Sequence, residues 1–129
     1  MDITRPKTED LAHRVAALTA LLTHLEEQAQ SLSHEGEMAP PCCWITRYQA
    51  RGQTKNYWYY KWQSIEPAFP TAKGKKTRYK HLGKAGSQVD LEAVNQIVRR
   101  ATYEGLQQAI STLRAGLADL SEEAAEKSN

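Results

Sequence analysis

Apolar residues near the start of the chain recur at alternating intervals of four and three. They are Leu11, Val15, Leu18, Leu22, Leu25, Ala29 and Leu32. Because an α-helix turns once every 3.6 residues, this spacing places the seven side chains in one seam and predicts a helix over residues 8–33. An unbroken seam of this length is typical of a helix that packs against other helices as in a coiled coil. Gly36 and Pro40-Pro41 then predict a loop.

The centre of the chain shows the period-two alternation that predicts β-strands. We expect three strands, at residues 43–50, 57–63 and 76–82. The first two are rich in aromatic and β-branched residues, which suit a pleated surface. Gly52 indicates a short hairpin loop between them, and Pro67 and Pro70 indicate a longer irregular connection to the third.

A second long helix is predicted at residues 88–120, beginning with a capping box formed by Ser87 and Asp90. Its apolar residues form two stripes that change register near Gly105. The first stripe is Leu91, Val94, Val98 and Ala101, and the second is Tyr103, Leu106, Ile110, Leu113, Leu117 and Leu120. We expect the first stripe to pack on the sheet and the second to face the seam of the first helix. Residues 121–129 are polar and are expected to fray.

These elements predict a single α+β domain over residues 1–129. It consists of a long N-terminal helix, a three-stranded antiparallel sheet within residues 42–83, and a long C-terminal helix. We expect the two helices to form an antiparallel stalk with the sheet at one end. Because two helices make a thin core, the leucine seam also predicts assembly into a homodimer or another homo-oligomer.

The charges are segregated along the chain. Residues 41–88 contain ten Lys or Arg against a single acid, Glu66. The flanking segments are acidic, with three basic and seven acidic residues in 1–40, and four and seven in 89–129. Nine of the ten aromatic residues lie between positions 44 and 79. A basic, aromatic centre between acidic flanks indicates an anionic partner for the sheet.

Alternation along each strand then sorts the side chains of the sheet into two faces. We expect a core face made of Trp44, Tyr48, Trp58, Tyr60, Trp62 and Tyr79. The opposite face would carry Arg47, Gln49, Tyr57, Tyr59, Lys61, Gln63, Arg78 and Lys80. Because a helix would not cover four cations, we expect this second face to be open, although Ile45 and Leu82 also fall on it and fit it poorly. The alternative is an ordinary solvated sheet face, on which Tyr and Lys are common.

Three antiparallel strands followed by a helix, with basic and aromatic strand residues, occur here over residues 43–101. This layout resembles the DNA-binding domains of plant ethylene-response factors and the arm-type DNA-binding domains of integrases. The resemblance implies that the open face of the sheet lies in the major groove of duplex DNA.

A Leu-rich helix, a Cys-containing strand and a basic sheet rich in Tyr and Trp are also found over residues 10–100. The sheet pattern is carried by Tyr57-Trp58-Tyr59-Tyr60-Lys61-Trp62 and by residues 76–84. In this the chain is similar to small uncharacterised bacterial proteins associated with mobile elements. It departs from them because Cys42 and Cys43 are adjacent rather than spaced.

The leading hypothesis is a nucleic-acid-binding protein, with duplex DNA favoured over RNA, acting as a regulator or as an accessory factor of a mobile element. Lys and Arg would neutralise phosphates, Gln49 and Gln63 could read base edges, and Tyr57 and Tyr59 would stack on bases if the ligand is single-stranded. The residues expected to contact nucleic acid are Arg47, Gln49, Arg51, Lys55, Tyr57, Tyr59, Lys61, Gln63, Lys73, Lys75, Lys76, Arg78, Lys80 and Lys84.

The alternative hypothesis is a protein-interaction adaptor that assembles through its heptad helices and docks an acidic protein on the basic sheet. An enzyme is not expected, because the chain has no catalytic motif and Glu66 has no second carboxylate near it in the central segment. Adjacent Cys42 and Cys43 provide neither metal-ligand spacing nor an internal disulfide, so no metal or cofactor is expected. The polar N-terminus and the lack of a long apolar run predict a cytoplasmic protein without a membrane partner.

Overall fold

The structure is a computed structural model that describes residues 7–128, with the side chains of residues 9–126. The elements are α1 (Lys7–Glu35), β1 (Cys43–Arg51), β2 (Asn56–Ser64), β3 (Phe69–Pro70), β4 (Lys76–Thr77), β5 (Tyr79–Gly83) and α2 (Gln88–Ser128). The predicted α+β layout is confirmed, because two long helices flank a three-stranded antiparallel sheet in the order β1-β2-β5. Contacts divide the chain into two compact units, a central unit of residues 36–101 and a helical unit made of α1 and of α2 from Thr102 onward.

The predicted third strand, residues 76–82, is divided at Arg78. Its first part, β4, pairs with β3 in a separate two-stranded sheet, so the loop predicted at residues 64–75 contains a strand of its own. Only β5 joins the main sheet, where it pairs with residues 60–63 of β2 across a register shift. Because β1 and β2 pair along their whole length, their hairpin continues beyond β5 as a two-stranded ribbon.

The core of the central unit lies between one side of the sheet and the first half of α2. Trp62 and Phe69 form its aromatic centre, with ring centroids 6.4 Å apart. The buried members of this core are Ala39, Cys43, Trp62, Phe69, Leu82 and Ala93. Ile45, Tyr60 and Ile97 pack against it. The neighbouring Cys42 is exposed and adopts a left-handed backbone conformation with φ of 60°.

Helix α2 packs on the core through a different side from the one predicted. Ala93 and Ile97 face the core, whereas Leu91, Val94 and Val98 are 54%, 42% and 55% exposed. The prediction that this stripe packs on the sheet was therefore wrong. The physical reason is size: small Ala93 lets the helix backbone approach a core already filled by the Trp62 and Phe69 rings.

Two arginines of α2 hold the loop between α1 and β1 against that helix. Arg100 donates to the backbone carbonyls of Pro40 and of Cys43, the second bond measuring 2.8 Å. Arg99 donates to the carbonyl of Glu37 at 2.9 Å and to the carboxylate of Glu92 at 3.1 Å. The segment between α1 and β1, predicted only as a loop, is thus held by specific hydrogen bonds.

The predicted capping box at the start of α2 is confirmed in a modified form. The Ser87 hydroxyl accepts from the backbone N–H of Asp90 at 3.2 Å and donates to the carbonyl of Leu82 at 3.2 Å. The Asp90 carboxylate accepts from the N–H of Gly86 at 3.0 Å. These bonds satisfy backbone donors at the helix start and connect α2 to the end of β5.

In the helical unit, α1 and α2 run antiparallel, as predicted. Arg14 pairs with Glu123 and Glu26 pairs with Arg114 at 3.0 Å, so the partner number falls as the α1 number rises. The hydrogen bond to Glu123 is the main reason that the pKa of Arg14 lies above its ordinary value. Between these pairs, Leu18 lies against Gly116, where an added Cβ would be 3.4 Å from Leu18 Cδ1.

Helix α2 ends at Ser128 rather than at residue 120, so the described residues of the expected frayed tail are helical. The added turns contain Ala and Glu, which have high helix propensity, and Glu123 is held by Arg14. The expected fraying of Asn129 lies outside the described residues.

Candidate nucleic-acid interface

The pairing register of the sheet decides which side chains share a face. Ile45 pairs with Trp62, and Tyr48 pairs with Tyr59. Directly paired residues of antiparallel strands project to the same side of the sheet. Tyr48 therefore lies on the side opposite to Trp62. The side away from the core, called the aromatic face below, consists of Trp44, Thr46, Tyr48, Ala50, Tyr57, Tyr59, Lys61, Gln63, Tyr79 and His81.

This register corrects the predicted core face. Trp44, Tyr48 and Tyr79 were expected in the core and lie instead on the aromatic face. Trp58 does project to the core side of the sheet, but it is exposed near the hairpin end. The core positions are taken by Ile45 and Leu82 together with Tyr60 and Trp62.

The register also corrects the predicted open face. Tyr57, Tyr59, Lys61 and Gln63 of β2 are on it, as expected. Arg47 and Gln49 pair with Tyr60 and Trp58, and Lys80 pairs with Trp62, so these three side chains project to the opposite side. The cause is that alternation orders the side chains within one strand, whereas the match between strands depends on their pairing.

Trp44, Gln63 and Tyr79 form a row across the aromatic face, one from each strand. The two rings belong to the outer strands and are 41% and 46% exposed. Since neighbouring strands lie about 4.8 Å apart, the two ring positions are about 10 Å apart with the amide between them. The Thr46 hydroxyl donates to Gln63 Oε1 at 2.9 Å and so orients that amide.

Lys61 occupies the middle of the aromatic face. Its ammonium nitrogen lies 4.4 Å from the Tyr79 ring centroid and 4.9 Å from the Tyr48 ring centroid. Both distances are in the range of cation–π interactions. These interactions keep the Lys61 ammonium group near the two rings.

Tyr48, Tyr59 and His81 form a cluster beside Lys61. The Tyr48 Oη and His81 Nδ1 share a hydrogen bond of 2.6 Å. The Tyr59 ring centroid is 5.9 Å from that of Tyr48 and 5.5 Å from that of His81. Such contacts fix the ring orientations, so this part of the face is ordered before any ligand arrives.

The hairpin end carries cations on both of its sides. On the aromatic face, the ammonium groups of Lys55 and Lys84 lie 5.4 Å and 4.9 Å from the Tyr57 ring centroid. On the other side, the Arg47 guanidinium stacks 3.7 Å from the centroid of the Trp58 ring. Both sides of the ribbon therefore combine a positive charge with an aromatic ring.

The remaining expected contact residues lie around the edges of the central unit. Lys73, Lys75 and Lys76 are exposed on the turn between β3 and β4 and at the start of β4. Arg51 is exposed at the end of β1, and Arg78 is exposed at the bend between β4 and β5. Lys80 lines a groove of about 660 Å³ on the core side of the sheet, beside Trp62, Phe69 and Leu82.

Four ring-bearing side chains of the aromatic face were not predicted to lie on it: Trp44, Tyr48, Tyr79 and His81. The sequence did contain a sign that the two faces of β1 and of β5 were assigned the wrong way round, because Ile45 and Leu82 fitted the expected open face poorly. Reversing the faces of β1 and β5 relative to β2 would have placed both in the core. No acidic residue occurs in β1, β2 or β5, so the aromatic face carries no negative charge.

Comparisons with known proteins found no match from which a function could be assigned, so the function is argued from the geometry of the sheet. No family model matches the chain, and no curated protein or solved structure resembles it significantly. Within residues 7–128, no three His, Cys, Asp or Glu side chains are grouped so that they could hold a metal ion. Neither described helix combines the length and the apolar character that crossing a membrane requires.

Proposed function

We propose that the protein binds nucleic acid through the aromatic face of its β1-β2-β5 sheet. The observation that carries this proposal is the combination of five aromatic rings with lysine ammonium groups on one acid-free face. Aromatic side chains stack on bases, and lysines neutralise phosphates. The rings are those of Trp44, Tyr48, Tyr57, Tyr59 and Tyr79, and the lysines are Lys55, Lys61 and Lys84.

The charge around this face supports the same proposal. Exposed Lys73, Lys75, Lys76 and Arg78 lie in the same unit as the aromatic face. The unit contains twelve Lys or Arg against four acids, and two of these acids are engaged within the fold, Asp90 in the helix cap and Glu92 with Arg99. The field of the central unit is therefore positive, which attracts a polyanion and speeds its association.

A fluorescence-anisotropy titration of the full chain tests the proposal. Labelled duplex and single-stranded oligonucleotides are titrated at about 50 and about 200 mM salt, a range over which phosphate contacts lose affinity steeply. We expect binding at the lower salt that weakens at the higher one. Failure to bind either oligonucleotide at low salt, or an affinity that does not change with salt, would contradict the proposal.

Protein assembly is a second candidate function, favoured by the exposed apolar stripe of α2. Leu91, Val94 and Val98 are spaced by three and four residues, as in a coiled-coil seam, and all three are uncovered in the single chain. The stripe contains no charge, so two copies can place it face to face without repulsion or an unpaired buried charge. We propose that it joins two copies of this chain.

Sedimentation equilibrium of the full chain tests this second candidate. We expect a dimer for the natural sequence and a monomer for Val94→Glu, because an interface cannot bury an unpaired carboxylate cheaply. Since Val94 is exposed in the single chain, the variant should fold, which circular dichroism checks. A natural chain that stays monomeric over the accessible concentration range rules the dimer out.

A further inference from the structure

We infer that the ligand of the aromatic face is a single strand of nucleic acid, with one base stacked on Trp44 and another on Tyr79. This inference rests on the proposed nucleic-acid function and narrows it to one class of ligand. It differs from the expectation of duplex DNA, which assumed that Arg47, Gln49, Arg78 and Lys80 share the open face.

The rings of Trp44 and Tyr79 are accessible to a ligand. Trp44 and Tyr79 are the exposed members among the Trp and Tyr side chains of the aromatic face, whereas Tyr48, Tyr57 and Tyr59 are half-buried. Each stands on an outer strand, with Gln63 between them. Two rings about 10 Å apart on a flat surface can each receive the flat side of an unpaired base.

A duplex hides the base surfaces on which these rings would stack. In a double helix the flat sides of the bases are covered by their neighbours, and separating a stacked step costs a few kcal/mol. A single strand can turn its bases out and stack them on aromatic side chains without that cost. Stacking on the separate rings of this sheet therefore contributes more to the binding of a single strand than to the binding of a duplex.

The strands carry few groups suited to a duplex on this face. Lys61 is the only Lys or Arg among its strand positions, and the two lysine ammonium groups beside Tyr57 lie at the hairpin end. Arg47, Gln49 and Lys80, which were expected on this face, project to the opposite side. A surface that reads duplex DNA needs several such groups together.

Gln63 provides a polar contact between the two stacking positions. Its amide oxygen accepts from Thr46, and within the described residues its amide nitrogen has no protein acceptor. The two N–H groups can therefore donate to a carbonyl or ring nitrogen on the edge of a stacked base. Lys61, in the next row, can contact a phosphate of the same strand.

The experiment compares three ligands with the full-length chain: one labelled DNA strand, its labelled complement, and the duplex that the two form. We expect both single strands to bind at least about tenfold more tightly than the duplex at the same salt concentration, because each base stacked on a ring raises the affinity severalfold or more. Trp44→Ala and Tyr79→Ala should each weaken single-strand binding by about 5- to 100-fold and leave its salt dependence unchanged.

Two further variants separate stacking from folding. Trp58→Ala removes a similarly exposed tryptophan from the opposite side of the same sheet, and we expect it to keep the single-strand affinity within about twofold, since its ring is not on the aromatic face. Trp44→Phe keeps an aromatic ring and should retain most of the affinity lost in Trp44→Ala. Circular dichroism confirms that each variant is folded.

The outcomes distinguish this inference from the function it rests on. Equal or tighter binding of the duplex, or a Trp44→Ala variant that binds single strands normally, overturns the single-strand inference and leaves nucleic-acid binding in place. Absence of binding to all three ligands overturns both. Loss of affinity in Trp58→Ala as large as in Trp44→Ala also overturns the inference, because the effect would then not belong to the aromatic face.

Discussion

Trp62 is the side chain on which the core of the central unit depends most. It is 4% exposed, stacks on Phe69 and pairs with Ile45 across the sheet. We expect Trp62→Ala to lower the free energy of unfolding by about 3–5 kcal/mol, because it removes a large buried ring and leaves a cavity. Urea denaturation followed by the fluorescence of the two remaining tryptophans measures this loss.

Trp58→Ala is the matched control for that prediction. It makes the same change on the same strand and the same side of the sheet, but at a ring that is 46% exposed. Only its contact with Arg47 and part of its apolar surface are lost, so we expect a cost below about 1 kcal/mol. Similar costs for the two variants would show that the core is not centred on Trp62.

Ile45 illustrates what can and cannot be predicted about single residues of the sheet. Alternation within β2 correctly separated Tyr60 and Trp62 from Tyr59 and Lys61. The side on which β1 places its aromatics could not be derived in the same way, because it depends on a pairing register that no single strand encodes. Trp44 was expected in the core, whereas the pairing register places Ile45 there and Trp44 on the aromatic face.

The start of α2 is held by a cap whose contribution can be measured. Ser87→Ala removes the acceptor for the Asp90 N–H and the donor to the Leu82 carbonyl. We expect a loss of about 1 kcal/mol in the free energy of unfolding, within the range found for helix caps. Thermal denaturation checks this value, and Ser87→Asp, which keeps a capping oxygen, should recover part of the loss.

Gly105 is a position where a substitution should stabilise the protein. It lies inside α2, and a Cβ added there would have no heavy atom within 4 Å. Alanine loses less conformational freedom than glycine when a helix forms, so Gly105→Ala should raise the free energy of unfolding by about 0.4–1 kcal/mol. Chemical denaturation tests it. A decrease would mean that this position touches a neighbour, such as a second copy of the chain.

The secondary structure was predictable where long periodic patterns exist. The helices and the β1–β2 hairpin follow directly from their spacing of apolar and aromatic residues. The division of the third strand at Arg78 did not, because β3 and β4 are two residues each and too short to show a period. The prediction that Leu91, Val94 and Val98 pack on the sheet was wrong for another reason. A heptad pattern predicts a face that packs against a partner, but it does not identify that partner.

Across the whole molecule, the two units differ in how much apolar surface they bury. The core of the central unit has six buried members, including two large aromatic rings. In the described part of the helical unit, the buried hydrophobic residues are Ala29, Ile110 and Leu120. We therefore expect the helical unit of the isolated chain to unfold at a lower denaturant concentration than the central unit.

Two optical signals can separate these transitions. The three tryptophans all lie in the central unit, whereas the circular dichroism of the chain is dominated by α1 and α2. The midpoint measured by circular dichroism should fall below that measured by tryptophan fluorescence. Coincident midpoints at all protein concentrations would contradict this, because they would show one cooperative unit.

The reactivity of the two adjacent cysteines can report how often the start of β1 separates from the core. Cys42 is exposed at a left-handed turn, while Cys43, one residue further on, is almost fully buried. A thiol reagent should therefore modify one sulfur per native chain quickly, and the second only when the start of β1 separates from the core. The slow phase would time that local opening, and any mutation or ligand that stabilises the sheet should lengthen it.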